Sequence, residues 1–422
     1  MEAKELKICV IGQGYIGLPT SLLFAKENCD VIGVDINKKI VSSLNKGILT
    51  IEENLQNLLT SVLKQGNYCA KEIPEFADAY IITVPTPYIK SNYECDLSYV
   101  ISACKSILPY IKKGNTIIIE STIAPLSMKN VIEPFFEKKG FQIGTDLFLA
   151  HCPERVLPGN IINELINNNR IVGGVTKNCA KKASELYKIF VKGNIVETTC
   201  EVAEMSKCME NTFRDMNIAL ANELVKICTE VNINALEVIK VANQHPRVNI
   251  HNPGPGVGGH CLAIDPYFIY SVAPKNAKLI KLSRDINVSM PKFVVDRTKK
   301  ILEKFVNQVD CISIFGVAYK GNSDDDRESP SYEIINELKK EYVVNIYDPH
   351  INEYDISIEK ILKNSSLVLI LADHDEFKNL NFDYLIKYMD NPIIFDTKNI
   401  IDSDNIPNEI SLFNFGNIYF EE

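Results

Sequence analysis

No apolar run in this chain approaches the ~18 residues that a membrane-spanning helix requires, so an integral membrane protein of the helical type is excluded. No two cysteines stand in a CxxC spacing. The twelve thiols, Cys9, Cys29, Cys69, Cys95, Cys104, Cys152, Cys179, Cys200, Cys208, Cys228, Cys261 and Cys311, are spread thinly, which excludes a zinc ribbon or a disulfide framework. A reducing, cytoplasmic compartment is expected. There is no surplus of positive charge. Lysine and arginine number 45 against 54 aspartates and glutamates, a net −9, which is wrong for a general nucleic-acid binder and leaves any anionic ligand to local cations. No signal peptide is expected, because the charged "MEAKELK" leads straight into a strand-like segment. Low-complexity segments and short repeats are lacking too. What is there is a globular composition, 46% apolar and 23% charged, in 422 residues, too many for one ordinary core, so two or three domains are expected.

Short β-branched runs alternate with longer amphipathic stretches. "LKICVIG", "DVIGVD", "AYIITVPTP" and "NTIIIEST" read as buried strands with helices between them, the signature of a parallel sheet covered on both faces. From Glu201 to about Val231 one helical pattern runs without glycine or proline. Strands return at "CISIFGVAY", "YVVNIYD", "SSLVLILAD" and "PIIFD". The expected fold class is α/β: two Rossmann-like parallel-sheet domains, residues 1–198 and 307–422, joined by a helical middle, 199–306, with one long helix.

Gly12, Gly14 and Gly17 have the GxGxxG spacing, after a strand and before a helix. The first allows a tight turn, the second lets a pyrophosphate approach the backbone, and the third packs helix on strand. Tyr15 and Ile16 fill the motif, and Asp35 ends the second strand, where a carboxylate accepts ribose hydroxyls and selects NAD. Lys38 and Lys39 leave NADP as the alternative. Thr86 and Thr122 each follow a strand end and read either as cofactor contacts or as helix caps. In the long helix, Glu204, Lys207, Asn211 and Arg214 recur at three- and four-residue spacings as one polar stripe, read as a solvated face or as the wall of a cleft. The segment "HPRVNIHNPGPGVGGHCLAIDPYF" sets Cys261 after a run of glycines and Asp265 four residues on; the thiol reads as an activated nucleophile or an inert buried group. His251, His260 and Cys261 lack metal-ligand spacing, and no metal is expected. In "FGVAYKGNSDDDRESP", Lys320 and Arg327 bracket three acids without the order of a Walker A loop.

"GQGYIGLP", "ESTIAP", "HCPERVLPG", "AEMSKCMENTFRDMNIALANEL", "HPRVNIHNPGPGVGGHCLAIDPYF" and "FGVAYKGNSDDDRESP", in this order, resemble the UDP-glucose/GDP-mannose dehydrogenase family over nearly the whole chain. The resemblance implies a four-electron oxidation of a nucleotide sugar at C6 by two NAD, through a thiohemiacetal and a thioester on Cys261. It implies Lys207 as acid/base or oxyanion stabiliser, Asn211 as holder of that oxygen or of a water, Asp265 as orienter, and Glu154 for the hydrolytic step. Arg155, Val156, Lys207, Asn211, Arg214, His245, Arg247, Gly258, Tyr319 and Lys320 would meet substrate, and Arg327 the NAD. It further implies a homodimer or homotetramer in which Arg247 reaches a neighbouring active site.

Two departures bear on the substrate and the cofactor loop. Many members carry Gly-Thr where Leu126 and Ser127 stand here. UDP-glucose members often carry "GGSC" and a lysine before the aspartate, where this chain has His260 and Ile264. That points to a UDP-N-acetylhexosamine, UDP-N-acetyl-D-mannosamine giving the mannosaminuronate, with UDP-N-acetylglucosamine as the alternative. A β-hydroxyacid dehydrogenase, which needs no cysteine, and a nucleotide-sugar sensor without turnover are the readings from other classes.

Overall fold

The computed structural model describes residues 6–51, 55–156, 160–389 and 392–419, so the last three residues of "HCPERVLPG" lie outside the described residues. The chain forms two compact units, Met1–Glu210 with Ser271–Pro274 and Asn211–Tyr270 with Lys275–Glu422.

In the first unit the strands are β1 (Lys7–Ile11), β2 (Asp30–Val34), β3 (Tyr68–Lys71), β4 (Ala79–Ile82), β5 (Thr116–Ile119), β6 (Phe148–His151), β7 (Arg170–Gly174) and β8 (Ile195–Thr199). They lie in the order β3-β2-β1-β4-β5-β6-β7-β8. Successive strand side chains face opposite ways. In β1, Ile8 and Val10 therefore join one core with Leu22 and Phe24, while Cys9 and Ile11 join another with Ile117 and Ile119. A sheet buried on both faces explains the unbroken Ile/Val runs. The order reverses between β1 and β4, which opens a crevice at their carboxyl ends. One pairing departs from the expected parallel pattern: β6 and β7 are antiparallel, through Ala150 with Gly174 and His151 with Gly173. Their link leaves and re-enters at the same end of the sheet, so no crossover is needed.

β7 opens on a buried charge. Arg170, 4% exposed, pairs with the carboxylates of Glu120 and Glu154, and its guanidinium lies 3.8 Å from the centre of the Tyr187 ring. The Tyr187 hydroxyl donates to Glu120 at 2.6 Å. Burial pushes the Glu120 carboxyl up to about 7 against the pull of Arg170.

The second unit holds β9 (Cys311–Phe315), β10 (Val343–Tyr347), β11 (Ser365–Ile370), β12 (Ile393–Asp396) and β13 (Ser411–Asn414), all parallel, in the order β10-β9-β11-β12-β13. The long helix runs Cys200–Glu230, 31 residues or about 47 Å, as the absence of glycine and proline led one to expect. Its last turns carry Val225 and Cys228 into a core with Met290, Val294 and Ile312. Within this unit Asp215 is fully buried and paired with Arg284 at 2.5 Å.

Removing one partner of a buried ion pair strands the other charge. Arg170→Leu is expected to lower the unfolding free energy by about 3–5 kcal/mol in denaturant titrations, with partial recovery on adding Glu120→Gln. A loss under about 1 kcal/mol would show that the cluster does not hold the first unit together.

Candidate active site

The three motif glycines each do a different job. Gly12 has φ +97°, and a Cβ there would stand 2.8 Å from the Thr83 carbonyl oxygen. At Gly17 a Cβ would meet the Gly12 carbonyl oxygen at 1.9 Å, so the helix Gly17–Lys26 seats directly on the turn. A Cβ at Gly14 would meet nothing within 4 Å; the space over that backbone is open. Asp35 accepts the Gln13 N–H at 3.0 Å and the Asn37 N–H at 2.8 Å, which fixes its half-buried carboxylate beside the glycine loop. Ile16 supplies no side-chain cap to the helix that follows, so the first turn presents backbone N–H groups. Tyr15 is exposed and Ile16 half-buried. These residues fit a dinucleotide: an uncapped helix start, an open glycine and a carboxylate at the ribose position.

Thr86 and Thr122 meet each other, the Thr86 hydroxyl donating to the Thr122 carbonyl at 2.5 Å. That bond ties the loops after β4 and β5, and neither threonine caps a helix in this structure. The loop continues to Leu126, whose φ of +71° is the left-handed region that glycine adopts without strain. Glu204, fully buried, holds this turn by accepting the Leu126 and Met128 N–H groups, each at 2.7 Å. Burial, opposed by those two bonds, pushes the Glu204 carboxyl up to about 7.

Lys207 is buried on the same helix, three residues on. His151, completely buried, shares its unit. Its Nδ1 lies 2.9 Å from the Ile119 carbonyl, and burial brings its pKa down to about 3, so the ring stays neutral. Glu154 is engaged at both oxygens: one accepts the Arg155 N–H at 2.7 Å and the other lies 2.8 Å from Arg170. Arg155 pairs with Glu210 at 2.8 Å, and Val156 packs against the core.

The second unit presents the thiol. Of the twelve cysteines, all described, nine are buried, Cys69 and Cys95 are half-buried, and Cys261 is exposed. The Cys261 carbonyl accepts the Asp265 N–H at 2.9 Å, closing the turn into the helix Asp265–Val272. The buried Asp265 carboxylate in turn accepts the Asn211 amide at 2.6 Å. The glycine loop lies on Tyr319: a Cβ at Gly258 or Gly259 would come within 2.8 and 2.9 Å of that side chain. Burial pushes the Tyr319 phenol up to about 12. Lys320 is exposed, whereas Arg327 forks onto Asp325 with two bonds of 2.6 Å. Arg214, His245 and Arg247 are exposed, and the Arg247 N–H donates to the His245 ring at 3.3 Å. The residues that sequence reasoning missed are His151, Glu120 and Arg170. All three are buried polar groups; Glu120 opens "ESTIAP" and His151 opens "HCPERVLPG", whereas Arg170 lies in no quoted motif.

The UDP-glucose/GDP-mannose dehydrogenase family matches along the chain: its NAD binding domain at residues 6–191, its central domain at 201–289 and its UDP binding domain at 313–403. The chain belongs to this family. It is an NAD-dependent dehydrogenase. It is 47% identical over 407 residues to a UDP-N-acetyl-D-mannosamine dehydrogenase of Methanococcus maripaludis, covering 94% of this chain and 93% of that one. The UDP-N-acetyl-mannosamine dehydrogenase of Staphylococcus aureus superposes with a TM-score of 0.92 at 52% identity, covering 98% of this chain and 99% of that one. An NDP-N-acetyl-D-galactosaminuronic acid dehydrogenase of Ralstonia nicotianae is 41% identical, covering 90% and 93%. Among the described residues no helix is long and apolar enough to cross a membrane.

The raised Glu204 pKa has a consequence for stability. The folded state holds a proton there between about 4.5, where the free side chain titrates, and about 7. Its contribution is complete below the lower value and is lost as pH rises through the upper one. Unfolding free energy is expected to fall between pH 5 and pH 8 more steeply in the native chain than in Glu204→Gln. Parallel pH profiles for the two proteins would contradict this.

Proposed function

We propose that this dehydrogenase oxidises UDP-N-acetyl-D-mannosamine at C6 to UDP-N-acetyl-D-mannosaminuronate in two steps, with Cys261 as the nucleophile. The observation that carries the reading is the single exposed thiol, set on a glycine loop and linked by its turn to the Asn211–Asp265 pair. The named activity of the Methanococcus and Staphylococcus relatives supports the sugar.

NAD supplies a hydride acceptor at each of the two oxidations. Lys207 takes the C6 hydroxyl proton and holds the developing oxyanion with its ammonium. Asn211, oriented by Asp265, donates its amide to the same oxygen or to a water. The Cys261 thiolate adds to the aldehyde carbon, giving a thiohemiacetal; loss of the second hydride leaves a thioester. Water attacks that carbonyl, the C–S bond breaks, the sulfur is regenerated and the carboxylate leaves. Two hydrides lost from carbon balance an alcohol converted to an acid. A cysteine suits this sequence because the intermediate stays bound between the two oxidations. Glu154 serves the hydrolysis, though its use as a base requires it to leave Arg170. Gly12, Gly14, Tyr15, Ile16, Gly17, Asp35, Thr86, Thr122 and Arg327 hold the cofactor. Arg155, Val156, Arg214, His245, Arg247, Gly258, Tyr319 and Lys320 hold the nucleotide sugar. The division at residues 198 and 306 is the proposed domain plan, and the reducing cytoplasm is the proposed compartment. A homodimer or homotetramer, with Arg247 reaching a neighbouring copy, is supported by an exposed stripe on the long helix: Val202, Met205, Met209, Phe213, Leu220 and Ile227.

Purified protein with NAD is expected to form about two NADH per molecule of UDP-N-acetyl-D-mannosamine consumed, and little with UDP-N-acetylglucosamine. A ratio near one would remove the thioester step, and so would full turnover to the acid by Cys261→Ser. No NADH from the mannosamine substrate would overturn the substrate assignment.

A further inference from the structure

The loop after β9 is fixed by side chains arriving from the ends of two neighbouring strands. Asp348, just past β10 and completely buried, accepts the Val317 N–H at 2.8 Å and the Ala318 N–H at 3.2 Å through one oxygen. Its other oxygen accepts the His350 N–H at 3.0 Å. His374, just past β11 and equally buried, accepts the Asn322 N–H on Nδ1 at 2.9 Å. That leaves the proton on Nε2, which lies 3.2 Å from the same Asp348 oxygen. Asp373 adds a bond to the Gly321 N–H at 3.1 Å. A carboxylate and an imidazole thus grip the two ends of the segment 317–322, and between the grips stand Tyr319 and Lys320.

The grouping of His350, His374 and Glu376, whose ligand-type atoms lie within 4.8 Å of one another, invites a metal reading. The hydrogen bonds oppose it. With Nδ1 accepting from Asn322 and Nε2–H directed at Asp348, His374 has no lone pair to offer a cation unless it breaks the grip on the loop. The same bonds set this unit apart from the first. Asp35 and Asp348 occupy equivalent places, each ending the second strand of its sheet and accepting N–H groups from the loop after the first strand. Asp35 keeps a half-exposed carboxylate, whereas Asp348 is sealed by His374.

We propose that Asp348 and His374 are positioning residues for nucleotide-sugar binding: the pair sets the backbone of residues 317–322, and through it the places of Tyr319 and Lys320. This rests on the assignment of those two residues to the substrate. Neither Asp348 nor His374 touches the ligand. Their loss acts on the affinity for nucleotide sugar, leaving NAD binding and the oxidation itself unchanged.

Steady-state kinetics on the full-length enzyme with UDP-N-acetyl-D-mannosamine test this, using His374→Ala, His374→Asn, Asp348→Asn and Lys320→Ala. Asparagine at 374 keeps an acceptor where Nδ1 stands, and so keeps the Asn322 bond. His374→Ala and Asp348→Asn are expected to raise the KM for the nucleotide sugar about tenfold, as for loss of a buried hydrogen bond, with kcat and the KM for NAD within about twofold. His374→Asn is expected to recover most of the loss. If Lys320→Ala raises that KM and the other variants do not, the positioning role is overturned. If Lys320→Ala also leaves it unchanged, the assignment of the loop to substrate fails instead. Equal losses in kcat and in both KM values, unrelieved by asparagine, reduce the pair to general support of the fold and overturn the proposal. Asp348→Asn, which preserves size, carries the comparison if His374→Ala does not fold.

Discussion

A parallel sheet leaves backbone N–H groups stranded in the loops beyond its carboxyl ends, and in this protein carboxylates collect them. Asp35 holds the glycine loop after β1, Asp348 the loop after β9, and Asp396 the turn at Lys398, Ile400 and Ile401. Glu204 does the same from a helix for the turn at Leu126 and Met128. Where the acceptor is ionised, such a bond is worth about 1.5–3 kcal/mol, more than a neutral one. They buy rigidity in the segments least able to obtain it from the sheet ladder. Loops shaped in this way carry the residues assigned to cofactor and sugar.

Much of this was legible in the chain because the determinants are local. The GxGxxG turn depends on three glycines and one strand; Gly12 and Gly17 stand where a side chain would clash, and Gly14 where the backbone is open. The long helix was readable from uninterrupted periodicity. Leu126, marked by its departure from the usual glycine, does stand at positive φ, and the departure is now explained as a strained residue held by a carboxylate. The partner that holds it is 78 positions away, so no local pattern could name it. The same limit hides Arg170, whose partners Glu120 and Glu154 converge only when β7 pairs into the sheet, and His151, whose neutrality comes from burial. Strand direction is equally silent in the residue pattern, which is why β7 antiparallel to β6 was not foreseen. His374 lies in no motif; its proposed positioning role rests on two bonds to segments 26 and 52 residues distant.

Burial divides the cysteines unequally. Burial pushes the Cys9 and Cys104 thiols up to about 12 and Cys29 up to about 11, which keeps them protonated and inert at neutral pH. Cys261 alone is exposed, two residues beyond glycines that lie against Tyr319. The acidic net charge does not preclude the proposed pyrophosphate ligand, since Lys320, Arg214 and Arg247, the cations proposed to hold it, are exposed.

The claim that one thiol carries the chemistry is tested most directly by limited alkylation. Native protein treated with substoichiometric iodoacetamide is digested and mapped by mass spectrometry while NADH formation is followed in the same samples. The expected result is modification concentrated on Cys261, activity lost in proportion to it, and protection by UDP-N-acetyl-D-mannosamine. Full NADH formation from protein modified at Cys261 would contradict the assignment.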